Sequence, residues 1–305
     1  MTVMEALQWA NNKLRKSNVD SPMLDAEILL AFVLEISKAK LFSRFNEPLK
    51  THHSEHFCEL VNRRALREPV AYLIGKKSFY GREFEVNHSV LIPRPETETL
   101  IEHTLTTLQE KKKEKERTLI ADIGTGSGVI AITIAEETHL PVIAIDIDPD
   151  ALAVAKKNAT NLAEENGIEF QCGNLLEPLI KLFKTIRSQK DIHTSDVYPF
   201  KTLIITANLP YLAEHCMETL QPEIQKFEPR LALVSGADGL DAYWELFRQL
   251  KMHQNILPRE IVLLIEIDPE QRSQMEKMIL HNFPEVQIKT YQDLHKDNRV
   301  MRIDI

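Results

Sequence analysis

Glycine is scarce in this chain, with nine residues in 305, less than half of the ~7% usual in proteins. A collagenous repeat, a flexible glycine linker and a low-complexity tail are excluded together. Cysteine is almost absent too. Cys58, Cys172 and Cys216 are too far apart for a CxxC metal knuckle and too few for a disulfide framework, so all three read as buried or incidental thiols. No apolar run approaches the ~18 residues that a membrane span needs, and Met1-Thr-Val-Met-Glu-Ala has neither the basic stretch nor the apolar core of a secretory signal. A cytoplasmic protein with no membrane partner is expected. Positive charge is in deficit, since 37 Lys and Arg face 45 Asp and Glu for a net charge of −8. Phosphate-driven binding of nucleic acid therefore lacks global electrostatic support.

What is present is a globular composition, 43% hydrophobic and 27% charged, over a length that suits two domains of roughly 150 residues. Residues 1–74 carry helical patterning. Leu7, Ala10 and Leu14 form one apolar stripe, Leu24, Ile28, Phe32 and Leu41 a second, and Phe57, Leu60, Val61 and Ala65 a third. Ser21-Pro22 reads as a helix start with Ser as cap and Pro at the first position. Acids and bases nearly balance in this stretch, which suits a packing or partner-docking module. Residues 75–93 read as a linker carrying a β-hairpin, with Gly81 and Asn87-His88 as turn signals. From residue 94 to 305 a different pattern takes over.

Arg94-Pro-Glu-Thr-Glu98 opens a helix to about Leu108, and Glu110–Arg117 reads as its solvated end or a loop. Strand-like runs follow at Thr118–Ile123, Pro141–Ile147, Ile168–Cys172, Thr202–Ala207 and Arg259–Ile267, with helical stretches at Ser127–Glu137, Pro149–Glu165, Gly239–His253 and Pro269–His281. Continuous apolar strands alternating with helices predict a parallel sheet covered on both faces. Val286–Gln292 and Arg299–Asp304 predict a closing hairpin with an antiparallel last strand, and the polar stretch Leu182–Phe200 reads as a surface insertion.

Three of the nine glycines fall in Ile120-Ala-Asp-Ile-Gly-Thr-Gly-Ser-Gly128, where a buried strand turns into a helix and backbone can approach a ligand closely. The spacing is GxGxG with no lysine, which weakens both the dinucleotide and the P-loop readings. Asp146 closes the next strand, where a carboxylate can accept from both hydroxyls of a ribose; Asp148-Pro149 reads as a helix cap. Adenosine without phosphate fits this loop, and S-adenosyl-L-methionine is the cofactor it predicts. The fourth strand ends in Asn208-Leu-Pro-Tyr211. Asn208, Pro210 and Tyr211 together can hold a planar group bearing NH2, the Asn oxygen and a loop carbonyl taking its hydrogens while the ring packs its face. Positioning rather than a strong base would carry the catalysis.

With these residues the chain resembles the HemK/PrmC-type release-factor glutamine methyltransferases, which modify the glutamine amide in the Gly-Gly-Gln motif of bacterial class 1 peptide chain release factors. The resemblance covers nearly the whole chain: Arg67-Glu-Pro-Val-Ala-Tyr-Leu-Ile-Gly75, Leu91-Ile-Pro-Arg-Pro-Glu-Thr-Glu98, the glycine loop, Asn208–Tyr211, Phe227-Glu-Pro-Arg-Leu-Ala-Leu233 and Asp297-Asn-Arg-Val300. It implies a Rossmann-like, seven-stranded class I methyltransferase domain behind a small helical domain and a hairpin. It also implies that Gly124, Thr125, Gly126, Ser127 and Gly128 hold the methionine end of the cofactor, Asp146 the ribose, Asn174 the adenine, and Asn208, Leu209, Pro210 and Tyr211 the acceptor. No metal is required, and a monomer is expected. Three positions depart from the family: Leu209 replaces its usual proline, Asn174 stands where an Asp commonly faces adenine, and Asp268 replaces a glycine. Asn-Leu-Pro-Tyr also looks like the corresponding string of rRNA adenine dimethylases. An adenine N6-methyltransferase acting on rRNA or DNA is therefore the alternative enzyme, and a binding module without turnover, against which intact Asn208 and Tyr211 argue, is the non-enzymatic one.

Overall fold

The computed structural model describes residues 1–111, 117–162, 167–189 and 200–305. Three expectations reach outside the described residues: the loop over 112–116, the helix end at 163–165 and the insertion over 190–199. The chain divides into two compact units. The first comprises Met1–Lys76, Val86–His88 and Leu220–Glu228, and the second Lys77–Glu85, Ser89–Thr219 and Pro229–Ile305.

The first unit is built from α1 (Val3–Lys16), α2 (Pro22–Val33), α3 (Lys38–Phe42), α4 (Thr51–Ala65) and α5 (Val70–Ile74). Thr2 and Glu5 close a capping box on α1, each side chain taking the other's backbone N–H. The stripes on α1 and α4 are buried as expected, through Leu7, Ala10, Leu14, Phe57, Leu60 and Val61. The stripe on α2 is rotated from the expected one. Leu24 and Phe32 are 44% and 40% exposed, while Ala26, Leu29, Leu30 and Val33 point inward. This helix is apolar on nearly every side, so periodicity alone cannot choose its face; Asp25 does. Its buried carboxylate takes the Arg64 Nε at 2.7 Å and the Ser21 hydroxyl at 2.8 Å. Ser21 is thus spent on Asp25 and makes no side-chain bond to the backbone of the helix start. Arg64 also reaches Glu223 at 2.9 Å, which Arg67 meets at 2.6 Å, and these pairs fasten Leu220–Glu228 to the same unit.

In the second unit, apart from Lys76, which belongs to the first, β1 (Lys76–Phe79) and β2 (Arg82–Glu85) form a two-stranded sheet. A 3-10 turn at Pro95–Thr97 leads into α6 (Glu98–Glu110). Then come β3 (Thr118–Ile123), α7 (Val129–Thr138), β4 (Val142–Asp146), α8 (Pro149–Leu162), β5 (Ile168–Cys172), α9 (Glu177–Gln189) and β6 (Thr202–Ala207). After α10 (Pro222–Phe227), which belongs to the first unit, the chain continues with α11 (Asp241–His253), β7 (Glu260–Glu266), α12 (Arg272–Asn282), β8 (Gln287–Gln292) and β9 (Asn298–Asp304). The seven strands lie in the order β5-β4-β3-β6-β7-β9-β8. β9 runs antiparallel to β7, as the closing hairpin predicts.

The central strands β3 and β6 are buried along their whole length, because helices cover both faces of the sheet. β5 and β8 at the edges alternate and are half-exposed. One expectation is overturned: Leu182–Gln189 is not insertion but the second half of α9, whose Leu179, Ile180 and Phe183 are buried against the sheet. Lysines and polar residues interrupting that stripe hide its helical period. The cysteines are also less sheltered than expected, with Cys58 and Cys216 half-buried and Cys172 exposed. Among the described residues no helix is long and apolar enough to cross a membrane. Strand order turns outward in both directions between β3 and β6, and ligands of open α/β sheets bind at that switch point.

Candidate active site

At the carboxyl ends of β3 and β6, which pair Ile123 beside Ala207, a cavity of about 350 Å³ opens. Gly124, Thr125, Gly126, Ser127, Asp146, Asn174, Asn208, Leu209 and Pro210 line it, with Arg94 and Thr97 from the turn before α6. Five non-contiguous stretches of chain thus converge, and two of the residues named from the sequence sit differently. Gly128 begins α7 beneath the loop, where a Cβ would come within 3.1 Å of the Ala155 Cβ of α8. Tyr211 does not line the cavity; its half-buried ring packs against the core on the α11 side.

The glycine loop is held from behind. The Gly124 and Thr125 amides both donate to the Ile145 carbonyl, at 2.8 and 3.0 Å. Gly124 adopts φ +73°, and a Cβ there would sit 2.8 Å from Leu209 Cδ2 and 3.8 Å from the Asn208 carbonyl oxygen. The requirement for glycine is therefore double: a left-handed backbone and contact with the neighbouring loop. Asn158, fully buried on α8, donates to the carbonyls of Ser127 and Glu85 and accepts from the Glu85 amide.

Asp146 accepts from the Gly126 amide on Oδ2 at 2.8 Å and from the Asp148 amide on Oδ1 at 3.0 Å. Burial pushes its pKa up against these two bonds. Each carboxylate oxygen keeps a lone pair for a further donor. The Asp148 side chain accepts from the Asp150 amide at 2.8 Å and caps α8 as expected. Asn174 precedes α9, its carbonyl taking the Glu177 amide.

Asn208 is held by its side chain, whose Nδ2 donates to the Thr97 hydroxyl at 3.1 Å. The oxygen of the same amide is left for another partner. The next residue, Leu209, donates its amide to the Tyr243 hydroxyl at 3.2 Å, and that hydroxyl donates in turn to the Glu266 carbonyl at 2.6 Å. A proline at position 209 would have no N–H to give. Beyond it, the Tyr211 carbonyl accepts from Gln271 Nε2 at 2.9 Å, and the same NH2 group reaches the Asp238 carbonyl at 3.0 Å. Asp268, without a role in the sequence reading, accepts from the Glu270 amide at 2.8 Å and caps the 3-10 turn that presents Gln271.

Two fully buried carboxylates stand behind the cavity. Asp122, at the end of β3, takes the Thr206 hydroxyl on Oδ1 at 2.9 Å, while Oδ2 has no hydrogen-bond partner, and burial pushes its pKa up to about 6. Glu266, the last residue of β7, is pushed up to about 7 by burial, opposed by a bond from the Thr97 hydroxyl and by the Arg299 charge. Sequence reasoning missed Thr97, Asp122, Asn158, Tyr243, Glu266 and Gln271. A lone acid closing or interrupting an apolar strand was a usable signal for Asp122 and Glu266. Nothing in the local pattern marks Tyr243 or Gln271.

A doubly wound sheet with a lysine-free glycine loop and an Asn-Leu-Pro-Tyr turn at its switch point defines a methyltransferase of class I. Residues 5–75 match the family model of the PrmC N-terminal domain, and residues 99–189 that of ribosomal protein L11 methyltransferase, PrmA. The second match ends before Asn208 and so spans only the cofactor half. Over 302 residues the chain is 33% identical to a release factor glutamine methyltransferase of Bacillus cereus, covering 99% of this chain and 98% of that protein. The same enzyme of Bacillus subtilis is 33% identical over 98% of this chain and 96% of its own, and that of Koribacter versatilis 36% identical over 83% and 82%. Among solved structures, the human METTL16 catalytic domain in complex with a MAT2A 3′UTR hairpin is similar at a TM-score of 0.48 and 13% identity, over 83% of this chain and 82% of that one. The chain belongs to the release factor glutamine methyltransferase family.

Proposed function

We propose that the protein transfers a methyl group from S-adenosyl-L-methionine to the side-chain amide nitrogen of the glutamine in the Gly-Gly-Gln motif of class 1 peptide chain release factors. The observation that carries the reading is the meeting of two loops in one cavity: Gly124 of the first lies against Leu209 and the Asn208 carbonyl of the second. The names of relatives at 33–36% identity support the release factor as substrate. They lend nothing to adenine as the acceptor, and neither does the net charge of −8.

The residues fit the cofactor. A short loop without lysine offers no counter-charge for phosphate. Asp146 retains acceptor capacity for two ribose hydroxyls, and the unpartnered Asp122 Oδ2 sets a negative potential beneath the loop that favours a cationic donor. Bound there, the cofactor supplies an electrophilic methyl carbon on a cationic sulfur. Gly124, Thr125, Gly126 and Ser127 hold its methionine end, Asp146 the ribose and Asn174 the adenine, with Gly128 serving only to let α7 pack on Ala155 of α8.

On the acceptor side, Asn208 Oδ1 and the Leu209 carbonyl take the two amide hydrogens, while Tyr211, whose ring packs against the core, anchors the end of the loop through its carbonyl. An amide nitrogen is a poor nucleophile because its lone pair is delocalised. Alignment and exclusion of water by Leu209 and Pro210 must compensate, and the surplus proton leaves the nitrogen during or after transfer. The helical unit docks the large substrate, and the enzyme works in the cytoplasm as a monomer. The test mixes the purified protein, radiolabelled S-adenosyl-L-methionine and a release factor. Label on the wild-type factor and none on a Gln→Ala variant of its Gly-Gly-Gln motif is expected. Equal labelling of both, or labelling of rRNA alone, would overturn the assignment.

A further inference from the structure

Glu266 has no role in the binding scheme above, yet it is 1% exposed and its Oε2 has no hydrogen-bond partner. Its other link is to Thr97, itself 3% exposed, which bonds both the Glu266 carboxylate and Asn208 Nδ2. A hydroxyl has one hydrogen to give. An ionised carboxylate can only accept, so it claims that hydrogen, and the Thr97 oxygen is left as an acceptor. Only the NH2 end of Asn208 satisfies such an oxygen. We propose that Glu266 is a positioning residue that acts through Thr97 to fix the Asn208 carboxamide with its oxygen toward the acceptor amide. The inference deepens the reading in which Asn208 takes the acceptor's hydrogen, and it rests on that reading.

The chain of bonds is polar in one direction only while Glu266 is charged. A protonated Glu266 can donate to Thr97, whose hydrogen then turns to Asn208 and draws the amide oxygen inward. Asn208 would then present NH2 to an NH2, and the acceptor is lost. The groups that bear on Glu266 are Arg299 of β9, Arg94 and Glu96 of the turn before α6, Tyr211 of the acceptor loop and Tyr243 of α11. The two arginines favour its charge, Glu96 opposes it, and burial opposes it most, which sets the change near pH 7.

Glu266→Gln keeps the shape and removes the direction, because a carboxamide can donate to Thr97 as well as accept. Single-turnover rates on a release factor are measured from pH 5.5 to 8.5 for wild type, Glu266→Gln, Thr97→Val and Thr97→Ser. Binding of S-adenosyl-L-methionine and thermal unfolding of each are measured in parallel. Wild type is expected to lose rate toward acid with a midpoint near 7. Glu266→Gln should lose that acid limb, fall ~10–100-fold in rate at pH 8, and stay folded with cofactor affinity little changed. Thr97→Val should match it, Thr97→Ser should recover most of the rate, and the Glu266→Gln/Thr97→Val double variant should be no slower than either single. A Glu266→Gln enzyme with wild-type rate and an intact acid limb, or additive losses in the double variant, sinks the relay. Asn208→Ala separates the two claims: if it abolishes turnover while Glu266→Gln does nothing, only the relay fails, and if it retains turnover the acceptor assignment itself fails.

Discussion

Gly124 and Leu209 sit so close that a single added carbon on the glycine would come within 2.8 Å of the leucine's Cδ2. Donor loop and acceptor loop therefore share a wall, and a change on one is felt on the other. Gly124→Ala adds a left-handed strain of about 1–2 kcal/mol to that clash. Turnover should fall at least ~10-fold. Because the obstructing atom ends a flexible side chain, Gly124→Ala should cost less in a Leu209→Ala background than in the wild type. Measured kcat/KM for the four proteins checks this, and strictly additive losses would show that the two loops do not communicate.

Asn208→Ala removes the acceptor's partner without touching the glycine loop. Turnover should vanish while affinity for S-adenosyl-L-methionine stays within about tenfold, or ~1.4 kcal/mol. Isothermal titration beside a turnover assay separates the two, and lost cofactor binding would mean the residue serves the donor.

Asp146→Ala should do the reverse. The carboxylate holds the Gly126 and Asp148 amides, so its removal loosens the loop and deletes the ribose contact together. Cofactor affinity should drop by more than ~10-fold, the worth of a charged hydrogen bond. The rate at saturating cofactor should suffer less. A variant that binds normally but turns over slowly contradicts the assignment.

Arg64 in the helical unit is buried between Asp25 and Glu223. Replacing it by Ala leaves Asp25 to the Ser21 hydroxyl and Glu223 to Arg67, and a buried pair broken in this way costs up to about 3–5 kcal/mol. Burial raises the Glu223 pKa, but Arg67 and Arg64 outweigh it and hold the carboxyl below its ordinary value. Stability from Glu223 is therefore complete above the ordinary carboxylate range and is lost as pH falls through the depressed value. Denaturant melts of wild type and Arg64→Ala between pH 3 and 7 should converge toward acid; a constant gap at all pH values would count against the ion pairs.

The pattern of the strands was enough to place β3, β5 and β6 to the residue: β3 and β6 are mostly apolar runs, and β5 alternates between Gly167 and Gly173. The glycine loop, Asp146 and Asn208 were readable for a related reason: each ends a strand, and strand ends converge in this architecture. Other features depend on long-range partners and left no local trace. Asp25 turns inward only because Arg64, far along the chain, comes to meet it. Tyr243 and Gln271 look like ordinary helix and turn residues until the fold brings them to Leu209 and Tyr211. The helix over Glu177–Gln189 failed for the opposite reason, its buried Leu179, Ile180 and Phe183 being outnumbered by charged and polar neighbours.

The acceptor loop is tied at three points, each to a different part of the chain: Thr97 before α6, Tyr243 on α11 and Gln271 before α12. None of these anchors is part of the tetrapeptide itself. The four residues after β6 thus behave as a cartridge clipped into a permanent housing. Swapping their identities retunes which flat, nitrogen-bearing group is admitted, within what the wall shared by Leu209 and Gly124 allows. One scaffold can in this way be passed from acceptor to acceptor over evolutionary time by rewriting a dozen nucleotides.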